Sequence, residues 1–325
     1  MTVNVLSDDF KLKCVLDEII YLKYSERLCR AGYAYLTIPF KKESYDALKP
    51  PCRLLIEDMP YTVEKIKCSP TAIDVYARSI FHDFRHFAIG APRKFTGKHA
   101  DMVYTLASEV SFKGVDYRVY GITDTGDSQN DRVEWDTSYE GAITRLCQAD
   151  NLYFRIIYDA TARELRFLID KRVDRAVSNP LGYLTVSDKT EPFLDIEVTR
   201  DMSEYKTRIE FLYYINQAIG HQSIVFDKTP QNELPRTCSE IPPIVGNTHE
   251  EYQTLLNKRA EEVFEKHAKH HQIRVRIRGK GEYRVGQLCL FESTLLGETH
   301  RVVITKREHS YNRGREYEEL TLEVI

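Results

Sequence analysis

Apolar and polar positions alternate with a period of two through much of this chain, the signature of half-buried β-strands. In residues 33–38, Ala34, Leu36 and Ile38 fall on one face before Pro39 stops the run, and Ile73, Val75 and Ala77 alternate with Asp74, Tyr76 and Arg78. Residues 14–24 are apolar and β-branched, Gly32 marks a loop, and strands at 53–57 and 61–66 are divided by Asp58-Met-Pro60. The first ninety residues therefore predict an antiparallel meander curling into a barrel.

From about residue 95 the period changes, and Met102, Val103, Leu106 and Val110 share one face of a predicted helix. Thr137 with Glu140 three positions on has the spacing of a capping box for a second helix, whose apolar face runs through Tyr139, Ile143, Leu146 and Cys147. Residues 152–158 and 164–169 read as strands joined by a turn through Asp159-Ala-Thr-Ala162, giving a helix-strand-strand unit. Residues 194–198 and 207–215 predict two further strands.

Pro230, Pro235, Pro242 and Pro243 then exclude continuous helix or central strand and mark a linker. Thr248 and Glu251 make another capping box, for a helix carrying Tyr252, Leu255, Leu256, Val263 and Phe264 and fading over residues 267–271. In the last fifty residues Ile273, Val275 and Ile277 alternate with Arg274, Arg276 and Arg278. Val302, Ile304, Leu320, Leu322 and Val324 continue the strand pattern, with turns at Gly279-Lys-Gly281 and Gly297, predicting a small antiparallel barrel of about four strands. The fold class is α+β, mainly β, with two small antiparallel β-barrel-like domains and an α/β insert between them. Residues 1–90 with about 172–216 make the first barrel-like domain, 91–171 the insert, and 217–325 the proline-rich linker, helix and second barrel-like domain.

Composition narrows the function. No window of the 325 residues approaches the roughly 18 uncharged apolar residues that span a bilayer, so no membrane insertion is expected. The first residues lack the basic start and apolar run of a secretory signal, so folding in the cytosol is expected. Seven scattered cysteines with no CxxC pair then read as reduced, mostly buried thiols. A net charge of −3 argues against a chain built to grip nucleic acid, whereas 21 tyrosines against 14 phenylalanines and one tryptophan favour half-buried strands and contact surfaces.

Candidate chemistry is sparse. His267 and His271 are four apart, the spacing of helical zinc ligands, and His270 lies between them, but no glutamate stands where an HExxH base requires it. Imidazoles at a helix C-terminus, facing its free carbonyls, account for the cluster without a metal. Asp124, Asp127 and Asp131 share a loop that superficially suggests calcium, yet Gly126 sits third rather than sixth, so a solvated turn is the reading. The Asp124-Thr-Gly126 triplet occurs once and follows no apolar strand, which is poor support for an aspartic protease. GxSxG, GxxxxGK and GxGxxG motifs are missing. Arg274, Arg276, Arg278, Lys280 and Arg284 are the strongest basic feature, expected to meet water or a neighbouring protein rather than DNA. The expectation is no enzyme, no cofactor, and no catalytic or metal-binding residue.

The order of motifs carries a resemblance. Ile20-Tyr-Leu-Lys-Tyr-Ser-Glu-Arg27, then Gly32-Tyr-Ala-Tyr-Leu-Thr-Ile-Pro39, Leu54-Leu-Ile-Glu57, Tyr61-Thr-Val-Glu-Lys-Ile66 and Ala77-Arg-Ser79 resemble the start of siphophage tail-tip hub proteins, a superfamily shared with contractile tails and type VI spike hubs. Ser138-Tyr-Glu140, Leu146-Cys-Gln-Ala149, Glu164-Leu-Arg-Phe167, Tyr283-Arg-Val-Gly-Gln287 and His300-Arg-Val-Val-Ile304 continue it, while the proline-rich stretch after residue 228 departs from it. The resemblance implies a structural baseplate or tail-tip hub in the virion, assembled in the bacterial host cytoplasm. It implies a usually trimeric ring whose two barrel-like domains per subunit alternate around a DNA channel. It also implies partners among the distal tail protein, fibre or spike and tape measure, with DNA only in transit. The competing readings are a tail-associated cell-wall hydrolase and a free-standing nucleic-acid-binding β-barrel.

Overall fold

The computed structural model describes residues 2–88, 93–121, 129–133, 138–149, 152–171, 184–214, 221–241, 249–266, 270–279 and 283–325. Two compact units emerge, one of Met1–Glu197 with Arg274–Ile325 and one of Val198–Ile273.

The first unit opens with β1 (Val3–Ser7), β2 (Leu12–Leu16), β3 (Tyr21–Arg27) and β4 (Tyr33–Pro39). The helix α1 (Lys42–Leu48) follows, then β5 (Cys52–Ile56), β6 (Met59–Cys68), β7 (Ala72–Ser79) and a 3-10 helix (Ile80–His86). Ala34, Leu36 and Ile38 of β4 and Ile73, Val75 and Ala77 of β7 are buried, as their alternation requires, in one core with Val3, Val5, Leu22 and Leu54. The stretch expected as one strand over 14–24 is instead β2 and β3, separated by residues 17–20. Helix α1 escapes the strand pattern because seven residues are too short to show a helical period, but Leu48 anchors it in the same core.

The middle of the chain holds β8 (Arg93–Gly97), α2 (His99–Ser108), β9 (Asp116–Tyr120), β10 (Gln129–Val133), α3 (Tyr139–Ala149), β11 (Leu152–Asp159) and β12 (Glu164–Lys171). The predicted helix-strand-strand unit is present as α3, β11 and β12, and β9 adds a parallel third strand. The N-cap is Ser138, whose Oγ accepts the Gly141 N–H at 3.2 Å, while Glu140 turns to His82 instead of completing a box; Thr137 lies outside the described residues. An aromatic cluster binds this module to what precedes it: Phe154 stacks on Phe167 with centroids 5.0 Å apart, Phe81 lies 4.4 Å from Phe154, and Phe84 lies 5.9 Å from Phe167.

After β13 (Leu184–Ser187) and β14 (Asp195–Asp201), the second unit contains β15 (Arg208–Tyr214), β16 (His221–Asp227), β17 (Thr237–Glu240) and α4 (His249–Lys266). Ile209, Phe211 and Ile224 pack on Leu256, Ala260 and Val263 of α4. The strand predicted over residues 207–215 is present as β15 over its described part. The proline-rich stretch supplies β17, paired among the described residues only with β15, the edge position that proline-flanked strands tolerate.

The chain closes with β18 (His270–Arg278), β19 (Leu288–Ser293), β20 (Glu298–Asn312) and β21 (Arg315–Val324). Gly279 and Gly297 adopt φ of 86° and 65°, the left-handed region that the predicted turns require. Among the described residues the sheet runs β18-β21-β20-β3-β4-β7-β6-β5-β1-β2, with β19 branching from β20, and it does not close into a barrel. The expectation of a separate barrel at each extremity is corrected by β20. Residues 298–303 of this long strand pair with β19 and residues 306–312 pair with β3, so one ladder joins the N-terminal and C-terminal strands into a single open sheet.

Candidate functional site

Residues directly opposite each other in a ladder share a face, so the pairings trace one outward surface across six strands. Tyr317 stands opposite Ser310, Ser310 opposite Lys23, Lys23 opposite Tyr35, Tyr35 opposite Tyr76, and Tyr76 opposite Lys65. A neighbouring row places Glu319 opposite Glu308 and Tyr33 opposite Arg78. Beside β21, Arg274 Nε reaches Glu319 at 2.6 Å and Arg276 lies 4.8 Å above the Tyr317 ring. The predicted basic strip thus belongs to this surface, but its charges are matched there, Arg274 also pairing with Glu197 at 3.3 Å. Lys280 lies outside the described residues, and Arg284 leaves the strip, its NH1 standing 3.5 Å from Glu57 Oε2.

Tyrosine and arginine dominate the surface. Tyr21 meets Tyr35 edge to face at 5.8 Å, Arg78 covers Tyr76 at 5.2 Å, and Arg27 covers Tyr33 at 5.7 Å. These side chains are half-buried in the monomer, carry large area with few rotatable bonds, and are the types enriched where proteins meet.

At the centre, Glu308 accepts hydrogen bonds from Lys23 at 2.5 Å, Lys306 at 2.9 Å and the Tyr33 hydroxyl. Burial alone would raise the Glu308 carboxyl, but these donors outweigh it and hold its pKa at about 2. Burial and the adjacent Glu308 carboxylate both push the Tyr33 phenol up, to about 12. Because the folded pKa of Glu308 lies below the ordinary carboxylate value, its contribution is complete above about pH 4.5 and is lost as pH falls toward 2. Glu308→Gln is expected to reduce stability at pH 7 by about 2 kcal/mol and to flatten acid unfolding in that window. Urea melts of both proteins at pH 7 and pH 3 check this; an equal difference at the two pH values contradicts it.

Beneath this surface lies a buried ionic node. Arg307 and Glu318, 2% and 0% exposed, pair side by side on β20 and β21. Glu57, in the β5–β6 turn, lies 3.7 Å from Arg307 and accepts the Tyr24 hydroxyl at 2.6 Å. Arg155 of β11 bridges Glu26 at 3.2 Å and Asp58 at 2.9 Å, and Tyr153 donates to Glu26 at 3.2 Å. Burial opposes the charge on Arg307 and Arg155, but Glu318 and Glu26 respectively more than offset it, so both guanidinium pKa values rise. The adjoining cavity, of about 50 Å³, is bordered by Ser25, Glu26, Tyr61 and Arg155. Acids and arginines that face each other around so small a space hold the strands that carry them in register.

The residues singled out for chemistry are not brought together on this surface. Asp124, Asp127 and His267 lie outside the described residues, and Asp131 is in β10. His271 lies in strand β18 and not on the helix expected to carry it. No disulfide joins any of the seven cysteines: Cys29, Cys52, Cys147 and Cys289 are buried, Cys14 and Cys238 half-buried, and Cys68 exposed. Sequence reasoning missed Glu308, Arg307 and Glu318. The one signal is Glu318, a charge where the alternation of Leu320 and Leu322 calls for an apolar side chain, and no spacing rule names the partner across the sheet.

Comparison of the sequence with protein-family models and with curated proteins finds no match. Solved structures do match over almost the whole chain. The prophage MuSo2 43 kDa tail protein from Shewanella oneidensis superposes with a TM-score of 0.65 at 12% identity, covering 99% of this chain and 98% of that one. The fold is that of phage tail proteins. A tail protein from Neisseria meningitidis has a TM-score of 0.64 at 14% identity, covering 99% of this chain and 96% of that one. Prophage tail protein gp18 from Listeria monocytogenes gives 0.62 at 13% identity, covering 99% and 94%. The tail-protein fold therefore includes both compact units, and at such identities the likeness is one of fold.

Proposed function

We propose that this protein is a structural component of a phage or phage-like tail, a ring-forming hub at the tail tip. The observation that carries the reading is the tyrosine-rich and arginine-rich outward face on a chain whose entire length matches tail-protein folds. In this proposal 1–90 with about 172–216 forms one hub domain, 217–325 the other, and 91–171 an insert. The one open sheet to which both contribute strands stands in place of the closed barrels first expected, and in this proposal it completes a wall only beside neighbouring copies. Three subunits, each presenting two such domains, would match a sixfold tube and join it to a distal fibre or spike. The slight acid surplus suits a lumen through which DNA slides rather than sticks.

Cyclic closure needs two complementary patches on each subunit, and a permanent interface buries roughly 2,000 Å² or more. Light scattering of the purified protein is expected to show a concentration-dependent oligomer converging on three chains. Tyr35→Glu with Tyr76→Glu is expected to leave a folded monomer with unchanged circular dichroism. A wild type that stays monomeric at its solubility limit, and that is absent from tail tips imaged with labelled antibody, overturns the reading.

A further inference from the structure

Along β18 the core side is taken by Val275 and Ile277, so Arg276 and Arg278 project from the other side, onto the outward face. Arg276 lies 4.8 Å above the Tyr317 ring, and the Gly279 N–H donates to the Glu316 carbonyl at 2.9 Å, which sets the end of β18 beside the start of β21. Arg315 opens β21 on the same face, opposite Asn312, which is in turn opposite Tyr21. The tip between the two strands is Arg313 and Gly314, with φ of 45° and 84°. Two central residues of positive φ make the tight hairpin turn in which asparagine and glycine are the usual pair. Here the first of them is an arginine, and its backbone N–H donates to the Ile20 carbonyl at 3.2 Å, so the tip is fastened to the chain just before β3.

Four exposed guanidinium groups thus gather at one corner of the sheet. Carboxylates answer Arg274, from Glu319 at 2.6 Å and Glu197 at 3.3 Å, but among the described residues none pairs with Arg276, Arg278, Arg313 or Arg315. The Tyr317 ring covers one face of Arg276 and leaves the N–H edge of that group open. Glu316, the acid between Arg315 and Tyr317, falls on the core side of β21 with Glu318.

We propose that this corner binds an extended acidic segment of a partner protein. Planar, weakly hydrated guanidinium groups take carboxylates two bonds at a time and tolerate the desolvation of an interface. Arg276 and Arg278, on alternate strand positions, stand roughly 6.6 Å apart along the strand, the interval that also separates alternate side chains of an extended peptide. Successive acids can therefore be received without bending either chain. Nucleic acid fits less well for two reasons. Tyr317 is already covered by Arg276 and Tyr21 is packed against Tyr35, so neither ring lies open to a base. The chain also carries 49 acids against 46 bases, so the corner is a local excess and not part of a generally basic surface. The inference rests on unmatched charge and stands without the tail reading.

Anisotropy of fluorescein-labelled hexaglutamate added to the full chain at low salt tests it, with hexaglutamine and a twelve-residue oligothymidine as comparison probes. Saturable hexaglutamate binding that weakens as salt rises is expected, with none for hexaglutamine. Arg278→Glu with Arg315→Glu is expected to weaken binding about tenfold or more and to leave the light-scattering mass of the protein as it is in the wild type. Lys65→Glu with Lys67→Glu, the same charge change at exposed positions of β6, with four strands between β6 and β21, is expected to leave hexaglutamate binding unchanged. Absence of saturable binding, an equal loss in both double variants, or tighter binding of oligothymidine with the same dependence on Arg278 and Arg315 overturns the proposal. So does an oligomer lost in the Arg278→Glu with Arg315→Glu protein, which would assign the corner to contacts between copies of this chain.

Discussion

Glu318→Leu is expected to cost the fold about 3–5 kcal/mol, the largest loss foreseen for any single polar side chain in this protein. The carboxylate is fully buried and pairs with Arg307, itself 2% exposed, so its removal leaves a guanidinium that can neither reach water nor lose its proton. Glu57, 3.7 Å away and already accepting the Tyr24 hydroxyl, compensates only in part. The double variant Arg307→Met with Glu318→Leu is expected to recover most of the loss, because replacing both ions by apolar side chains of similar volume removes the desolvation cost together with the attraction. Urea unfolding of the two single variants and the double variant closes the cycle. A Glu318→Leu protein within about 1 kcal/mol of wild type would show that the node relaxes around an orphaned charge, contrary to this account.

Gly32→Ala is expected to be nearly as damaging, at about 3 kcal/mol, through the backbone rather than through charge. A methyl at Gly32 would come 2.0 Å from the Ser25 carbonyl oxygen and 3.0 Å from its carbon, both backbone atoms that no side-chain rotation can clear. The site is also stitched to β7: the Gly32 N–H donates to Ser79 Oγ at 3.1 Å, and the Ser79 N–H donates back to the Gly32 carbonyl at 3.0 Å. Any shift that relieves the clash loosens these bonds and the β3–β4–β7 part of the outward face with them. The expected result is a lower thermal midpoint together with weaker self-association. Unchanged melting of the variant would mean that the turn moves freely.

These two positions mark how far the sequence could be read. Gly32 and the Arg78-Ser79 pair stood out as separate motifs, and only the fold makes them two ends of one hydrogen-bonded contact. The strands β4, β7 and β18 and the helices α2, α3 and α4 were legible because each has one apolar face, and a period of two or of 3.6 is a local property of the chain. Strand β1 went unread, although Val3 and Val5 are fully buried, because five residues carry little periodic signal and what makes them central is pairing with β2 and β5. The same limit applied to β20. Its residues suggested strand but could not announce that its two halves pair with different neighbours.

The amino-acid sequence by itself determined a mainly β protein with helices in the middle of the chain, an outward alternation of tyrosine and basic residues, and unbridged cysteines, because each follows from local spacing and composition. Tertiary structure alone decided that the two extremities share one open sheet, that Arg274 and Arg276 face Glu319 and Tyr317, and that Arg307, Glu318, Glu57 and Arg155 converge beneath it. The physical reason is that an ion pair or a strand ladder is a relation between residues far apart in the chain. Neither partner's local sequence encodes the distance that brings them together.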